Sequence, residues 1–471
     1  MGAEEITLAA FLDRSHSIAG PGFSRWLVPP AALCIHLCIG QAYAFSVFNK
    51  PLAQLLCSMQ HACPPATEKA ISTTPGDWTI ASLGWIFSLA IVFLGLSAAV
   101  FGRWVESAGP RAAMFASASL FCGGLLVAGF GVSIHNLPIV FLGYGVIGGC
   151  GLGIGYISPV STLIKWFPDR PGLATGTAIM GFGGGALIGA PLAVALMKQY
   201  SSPTSNGVSA TMITMGVIYF IFMMVGVLLV RVPAPGWKPA GYVAPTTSAH
   251  MITTRNVTAT EAVKTPQFWL LWAVLFLNVT AGIGILGQAS LMVQDMFAVT
   301  AVAAAGFVGL LSLFNMGGRI FWASMSDFMG RKRTYMIFFG LGAVLYFLIP
   351  WTKNIGSLGL FVLICCIILT MYGGGFATIP AYLRDMFGTV EVGAIHGRLL
   401  TAWSCAGVAG PVLVNYIRQY QLAHGVAKSD AYSVTMIICA GLLVVGFICN
   451  YLVKPVDEGH YVAVGAAEAA T

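Results

Sequence analysis

Twelve separate stretches of this sequence stay apolar long enough to cross a bilayer, and no other feature constrains the fold as tightly. A helix rises ~1.5 Å per residue and a hydrocarbon core is ~30 Å thick, so one span needs roughly 20 apolar residues. Runs of that kind lie near 24–48, 78–101, 112–132, 136–163, 172–198 and 207–231, then near 267–291, 300–325, 334–352, 357–383, 394–418 and 431–453. They are continuous rather than alternating, which excludes the strands of a membrane barrel. Charge agrees: 8% of the residues are charged, against about 25% in soluble domains, and the mean hydropathy is +0.84. The chain reads as an all-α membrane protein with twelve transmembrane helices.

The net charge of +7 is explained by where the bases fall. One set of loops and helix ends holds Arg103, Arg111, Lys165, Arg170, Arg231, Lys238, Arg255, Lys264, Arg331, Lys332, Arg333, Arg384 and Arg398, and the other set only Lys50, Lys69, Lys198, Lys353, Arg418 and Lys428. The positive-inside rule puts the first set, and with it both termini, in the cytoplasm; the expected location is the plasma (inner) membrane. Nucleic-acid binding is not implied. The first residues carry Glu4, Glu5 and Asp13 ahead of any apolar run, unlike a secretory signal, which begins basic. Most cysteines lie in apolar runs as packing residues; Cys57 and Cys63 share an outer loop and can either pair or stay free.

The two sets of six runs repeat each other. "VESAGPR" after the second run parallels "SDFMGRKR" after the eighth, setting Glu106 opposite Asp327 and Gly109 opposite Gly330. "SPVSTLIKWF" parallels "IPAYLRDMF", with Pro159 opposite Pro380, and Gly176 matches Gly397. An internal repeat of this kind predicts two pseudo-symmetric six-helix bundles with a substrate site between them at mid-depth. The expected divisions are an N-terminal tail (1–23), a first bundle (24–231), a cytoplasmic linker (232–263) ending in a short interfacial helix, a second bundle (264–454) and a tail (455–471). Arg331, Lys332 and Arg333 read as part of a polar loop.

"SDFMGRKR" resembles the loop signature of the major facilitator superfamily: an acid, two residues, Gly, then bases. The resemblance implies a gating loop of Asp327, Gly330, Arg331 and Lys332, mirrored by the degenerate Glu106, Gly109 and Arg111, where Pro110 stands in place of a base. Within the superfamily the chain is most similar to the oxalate–formate antiporter group and its monocarboxylate-transporter relatives. Four stretches carry this: "GQAYAFSVF", "GLGIGYISP", "FNMGGRIFWASMSD" and "TAWSCAGVAGP".

Arg319 lies eight residues before Asp327, ~12 Å into the membrane at helical rise. A charge there costs ~2.5–3.5 kcal/mol or more on insertion scales, and no Asp or Glu falls near the centre of any span. A guanidinium fork without an internal counter-ion suits a carboxylate brought from outside. Helical spacing places Asn315 and Trp322 on its face. The resemblance adds the role of Arg319 as carboxylate binder and an aromatic cage of Tyr43, Tyr156, Tyr372 and Phe376; Tyr144 is a further candidate from the glycine-rich fourth span. It also marks a departure: the oxalate-binding members carry a Lys where this chain has Trp403. One cation balances one carboxylate, so a doubly charged guest would leave a buried charge unpaired.

These readings predict a secondary transporter for a small organic monocarboxylate of the lactate, pyruvate or formate type, working by alternating access. Protons are the expected co-substrate, with His36 and His396 as titratable candidates. The alternatives are an oxalate–formate-type anion exchanger and a membrane anion sensor that moves nothing. No cofactor, metal or catalytic centre is expected. The partners are the anion, protons and the lipid bilayer, and the state is a monomer.

Overall fold

The computed structural model describes residues 7–56, 76–203, 205–242, 252–286 and 288–462. Cys57 and Cys63 lie outside the described residues. Twelve helices among the described residues are long and apolar enough to cross a membrane: α1 Arg25–Leu52, α2 Ser82–Ala108, α3 Pro110–Ser133, α4 Leu137–Trp166, α5 Pro171–Tyr200, α6 Val208–Leu229, α7 Pro266–Leu286, α8 Ala303–Met329, α9 Arg331–Asn354, α10 Leu358–Phe387, α11 Val392–Ala423 and α12 Ser433–Leu452. The described residues form no strand.

Within the first six helices, α3 packs on α6, α2 on α4 and α1 on α5; within the second six, α9 packs on α12, α8 on α10 and α7 on both α11 and α12. The halves meet along two seams, α5 against α8 and α10, and α2 against α11. The repeat maps α2 onto α8 and α5 onto α11, so the two seams are copies of one another. Pro159 and Pro380 sit inside α4 and α10 at matching places.

One face gathers the described segments before α1 and after α12. The N-terminal segment pairs with the start of the linker through Ala19 N–H to the Val232 carbonyl (2.9 Å) and Val232 N–H to the Ser17 carbonyl (2.8 Å). Beyond α12, Val462 N–H donates to the Asn256 carbonyl at 2.9 Å. We call this the terminal face. The short helix expected at the end of the linker is a four-residue turn, Ala259–Ala262, capped by Thr258.

The connections after α2 and α8 are tighter than the sequence suggests. Hydrophobicity fades near 101 and 325, but helix continues to Ala108 and Met329, and Arg331–Arg333 form the first turn of α9 rather than a loop. Only Gly109 (φ 85°) and Gly330 (φ 87°) separate the paired helices. A complete reversal in one residue needs a positive φ, which glycine adopts without the steric cost of a Cβ. Glu106 and Asp327 therefore ride on helix ends and are rigidly aimed.

Candidate functional site

The terminal face is closed by a device used twice. Asp327, at the end of α8, accepts hydrogen bonds from Gly172 N–H (2.8 Å) and Leu173 N–H (2.9 Å) at the start of α5. Glu106, at the end of α2, accepts from Gly393 N–H (2.9 Å) at the start of α11 and from the Ser161 hydroxyl (2.6 Å). Each carboxylate satisfies orphan donors at a helix N-terminus of the opposite half, where the helix dipole favours negative charge.

The supporting cations differ. Arg331 joins Asp327 to Asp385 (3.0 Å to the latter), and Arg384 pairs with Asp385 at 3.0 Å while reaching the Pro168 carbonyl across the seam. In the first half Pro110 offers no charge, and Lys165 of α4 pairs with Glu106 instead. Arg111 turns away from the acid: it donates to the Phe11 and His16 carbonyls and stacks on the Phe11 ring at 4.6 Å. Lys332, its counterpart, likewise reaches outward, to the Val453 carbonyl at 2.7 Å. These second bases fasten the terminal segments, whereas the acids join the halves.

At mid-depth the chemistry reverses. Arg319 is fully buried (0% exposed) at the α5–α8 seam. Its Nε donates to Asn315 Oδ1 at 3.2 Å and its Nη1 to the Ile179 carbonyl of α5 at 3.0 Å, while Nη2 has no partner. No carboxylate among the described residues pairs with it. Gly183 makes the approach to α5 possible, since a Cβ there would lie 2.7 Å from Arg319 Nε.

Aromatic rings from both halves enclose the guanidinium. Its Cζ lies 5.5 Å from the Phe376 ring and 6.0 Å from Phe182. Trp403 packs on Phe376 (4.6 Å), Phe182 (5.4 Å) and Tyr156 (5.4 Å); Tyr43 packs on Phe182 (5.1 Å), and Tyr372 on Phe376 (5.3 Å). The hydroxyls of Tyr43, Tyr156 and Tyr372 are buried without hydrogen-bond partners, and all three lie within electrostatic reach of Arg319. Buried polar groups are nearly always satisfied. At the meeting point of two bundles, one guanidinium arm and three hydroxyls lack a well-formed hydrogen bond, Tyr43 lying close to both Tyr372 and Arg319, and the cluster contains no carboxylate.

Not every residue singled out from sequence joins this cluster. Tyr144 donates to Gln41 Oε1 at 3.2 Å and packs on Phe45 inside the first bundle. Trp322 swings towards α9 and α10, donating to Thr370 Oγ1 (3.1 Å) and packing on Phe338; three residues of helix leave it about 60° off the Arg319 direction, and Thr370 supplies the partner its N–H requires. His36 and His396 both reach the Tyr156 ring, at 5.4 and 5.8 Å, and both are buried in the interior. Phe182 is not picked out by any sequence motif, although a lone aromatic within "MGFGGG" signals a ring placed where backbones approach closely. Lys165, Arg384 and Asp385 are visible in sequence only as loop-side charges, because their partners lie on other helices.

The Major Facilitator Superfamily pattern matches residues 31–411, across both halves. The chain belongs to that superfamily. It is a multi-pass membrane transporter. It is 28% identical over 334 residues to the oxalate:formate antiporter of Oxalobacter formigenes, covering 70% of this chain and 75% of that one. It is 24% identical over 496 residues to apicoplast pyruvate carrier 1 of Toxoplasma gondii, covering 91% and 88%. The crystal structure of the human organic anion transporter MFSD10 superposes with a TM-score of 0.64 at 15% identity, covering 92% of this chain and 100% of that one, a likeness of fold.

Proposed function

We propose that this transporter moves a small organic monocarboxylate of the lactate, pyruvate or formate type by alternating access, linked to protons, in the plasma (inner) membrane with the terminal face towards the cytoplasm. It works as a monomer, with residues 24–231 and 264–454 as the two rocking units and 232–263 as the linker between them.

The observation that carries this reading is the unpartnered Nη2 of Arg319, buried between the halves with no carboxylate beside it. A carboxylate there accepts from the guanidinium and from the surrounding hydroxyls of Tyr43, Tyr156 and Tyr372, and supplies the anionic partner that the free guanidinium arm lacks. Trp403, 1% exposed, fills the position where a second cation would be needed for a dianion. In the conformation described, the Asp327 and Glu106 caps hold the terminal face shut; breaking both frees the two seams to open towards that side.

The test is uptake of labelled lactate into proteoliposomes, competed by formate, pyruvate, oxalate and a neutral sugar. Monocarboxylates should compete and the sugar should not; competition by the sugar would remove the anion assignment. A second reading, exchange of one anion for another, is favoured by the similarity to the oxalate:formate antiporter. Exchange requires an internal counter-anion, whereas proton-linked uptake requires a pH gradient.

A further inference from the structure

Beside the anion cluster lies a second set of unsatisfied atoms that binding of a carboxylate does not use. His36, on α1, is 0% exposed; its Nε2 lies 3.2 Å from the Tyr156 carbonyl oxygen and its Nδ1 has no partner. A carbonyl can only accept, so Nε2 carries the hydrogen in this contact and Nδ1 presents a bare lone pair. A buried lone pair facing no donor is satisfied most simply by a proton. His396, on α11 of the other half, is 1% exposed with both ring nitrogens unpartnered. Both imidazoles touch the same ring, Tyr156.

The surroundings favour a conditional charge. Groups that face His36 from neighbouring helices are Tyr156 from α4, Arg319 from α8 and His396 from α11, and the carboxylate ion pairs among the described residues are all made by other groups. Residues 181–183 of α5 are the spacer: a Cβ on Gly181 would meet His36 Cβ at 3.0 Å, and one on Gly183 would meet Arg319 Nε at 2.7 Å. With Arg319 unliganded, a second positive charge so near in a low-dielectric interior is opposed by Coulomb repulsion. With a carboxylate on Arg319 the pair is neutral, and the repulsion is replaced by attraction to the guest. Anion and proton then promote each other's binding, as linkage requires.

We propose that His36 is the proton-binding group of the transport cycle, and that His396 relays the proton between it and the terminal face. The proton leaves water on one side, adds to Nδ1 of His36 to form an imidazolium, and is returned to water on the other side after the anion departs. His396 fits the relay: it sits four residues into α11, nearer the terminal face, while His36 is eleven residues into α1. Because the two belong to different halves, rocking separates them. The inference rests on the monocarboxylate reading and deepens it.

The experiment measures proton uptake on anion binding to the purified full-length protein in weakly buffered detergent solution, with L-lactate, pyruvate and formate as probes and a pH indicator as readout. Wild type should take up about one proton per anion bound, with apparent affinity weakening roughly tenfold per pH unit above the working range. His36→Gln should bind the anion with proton uptake lost and its affinity flat with pH, while His396→Gln should keep the equilibrium uptake but slow net gradient-driven flux in proteoliposomes more than anion exchange. Unchanged proton uptake in His36→Gln, or loss of anion binding along with it, would overturn the assignment, the latter by making His36 part of the anion site. Wild-type binding without proton uptake refutes this inference and the proton linkage but leaves the monocarboxylate assignment standing; no binding of any probe refutes the monocarboxylate reading and this inference with it.

Discussion

The terminal face and the centre of the molecule treat charge in opposite ways. At the face, Asp327, Arg331, Asp385, Arg384, Glu106 and Lys165 all find partners within the protein, several across the seam between halves. At the centre, Arg319 keeps one arm without a partner and three tyrosine hydroxyls around it make no well-formed hydrogen bond. Both regions sit on the same seams and are built from the same helices, so the difference is one of partners, not of place. A saturated network holds a conformation, since opening it leaves helix N-termini and carboxylates unpaired. An unsaturated one waits for a group the protein lacks.

That contrast breaks most severely at Arg319. Arg319→Ala should abolish labelled lactate uptake, and Arg319→Lys, which keeps charge but loses the fork, should weaken apparent affinity by ~10–100-fold, equivalent to about 1.5–3 kcal/mol of charge-assisted hydrogen bonding. Normal transport by the alanine variant would place the anion elsewhere. Next comes the selectivity of the centre: Trp403→Lys should raise competition by oxalate ~10-fold relative to lactate by supplying a second cation. If oxalate competition stays as in wild type, the indole is not what disfavours a dianion.

The lock should yield more gently. Asp327→Asn removes a charge-assisted cap worth about 1 kcal/mol and should speed hydrogen exchange at Gly172 and Leu173 by ~5-fold. Glu106→Gln should act on Gly393 in the same way but less strongly, because Glu106 caps one amide where Asp327 caps two. Equal protection in both variants would mean that apolar contacts, not the carboxylates, hold the halves together.

The smallest effect is expected where a pair lies within one half. Desolvation by burial pushes the Asp169 carboxyl up, but hydrogen bonds from Arg25 (2.6 Å) and a backbone N–H, with the charges of Arg25 and Arg170, together outweigh this and hold it below the usual range. A depressed native pKa stabilises the fold above the unfolded value near ~3.9 and is lost as pH falls through the native one. Asp169→Asn should therefore lower thermal stability at neutral pH by an amount equivalent to about 0.2–1 kcal/mol, with the gap to wild type closing at acid pH.

Much of this architecture is legible in the amino-acid sequence. Apolar length marks the helices, and matched motifs mark the two halves, because both are properties of local sequence. Arg319 announces itself because a lone charge in an apolar run needs a reason to be there. What stays hidden is pairing over distance: that Asp327 caps α5, that Lys165 replaces the missing base beside Glu106, and that Phe182 stands under the guanidinium. Each depends on which helices meet at a seam, and no local pattern encodes that. Trp322 shows the opposite failure, where helical spacing alone suggests a shared face and a hydrogen bond to Thr370 turns the ring elsewhere.

The decisive quantity is the affinity of purified protein for L-lactate in wild type and in Arg319→Ala, by calorimetry at matched pH and with the variant's thermal unfolding measured alongside. Saturable binding in wild type and none in a folded Arg319→Ala is the result expected. Equal affinity in the two proteins would contradict a carboxylate seated on this guanidinium.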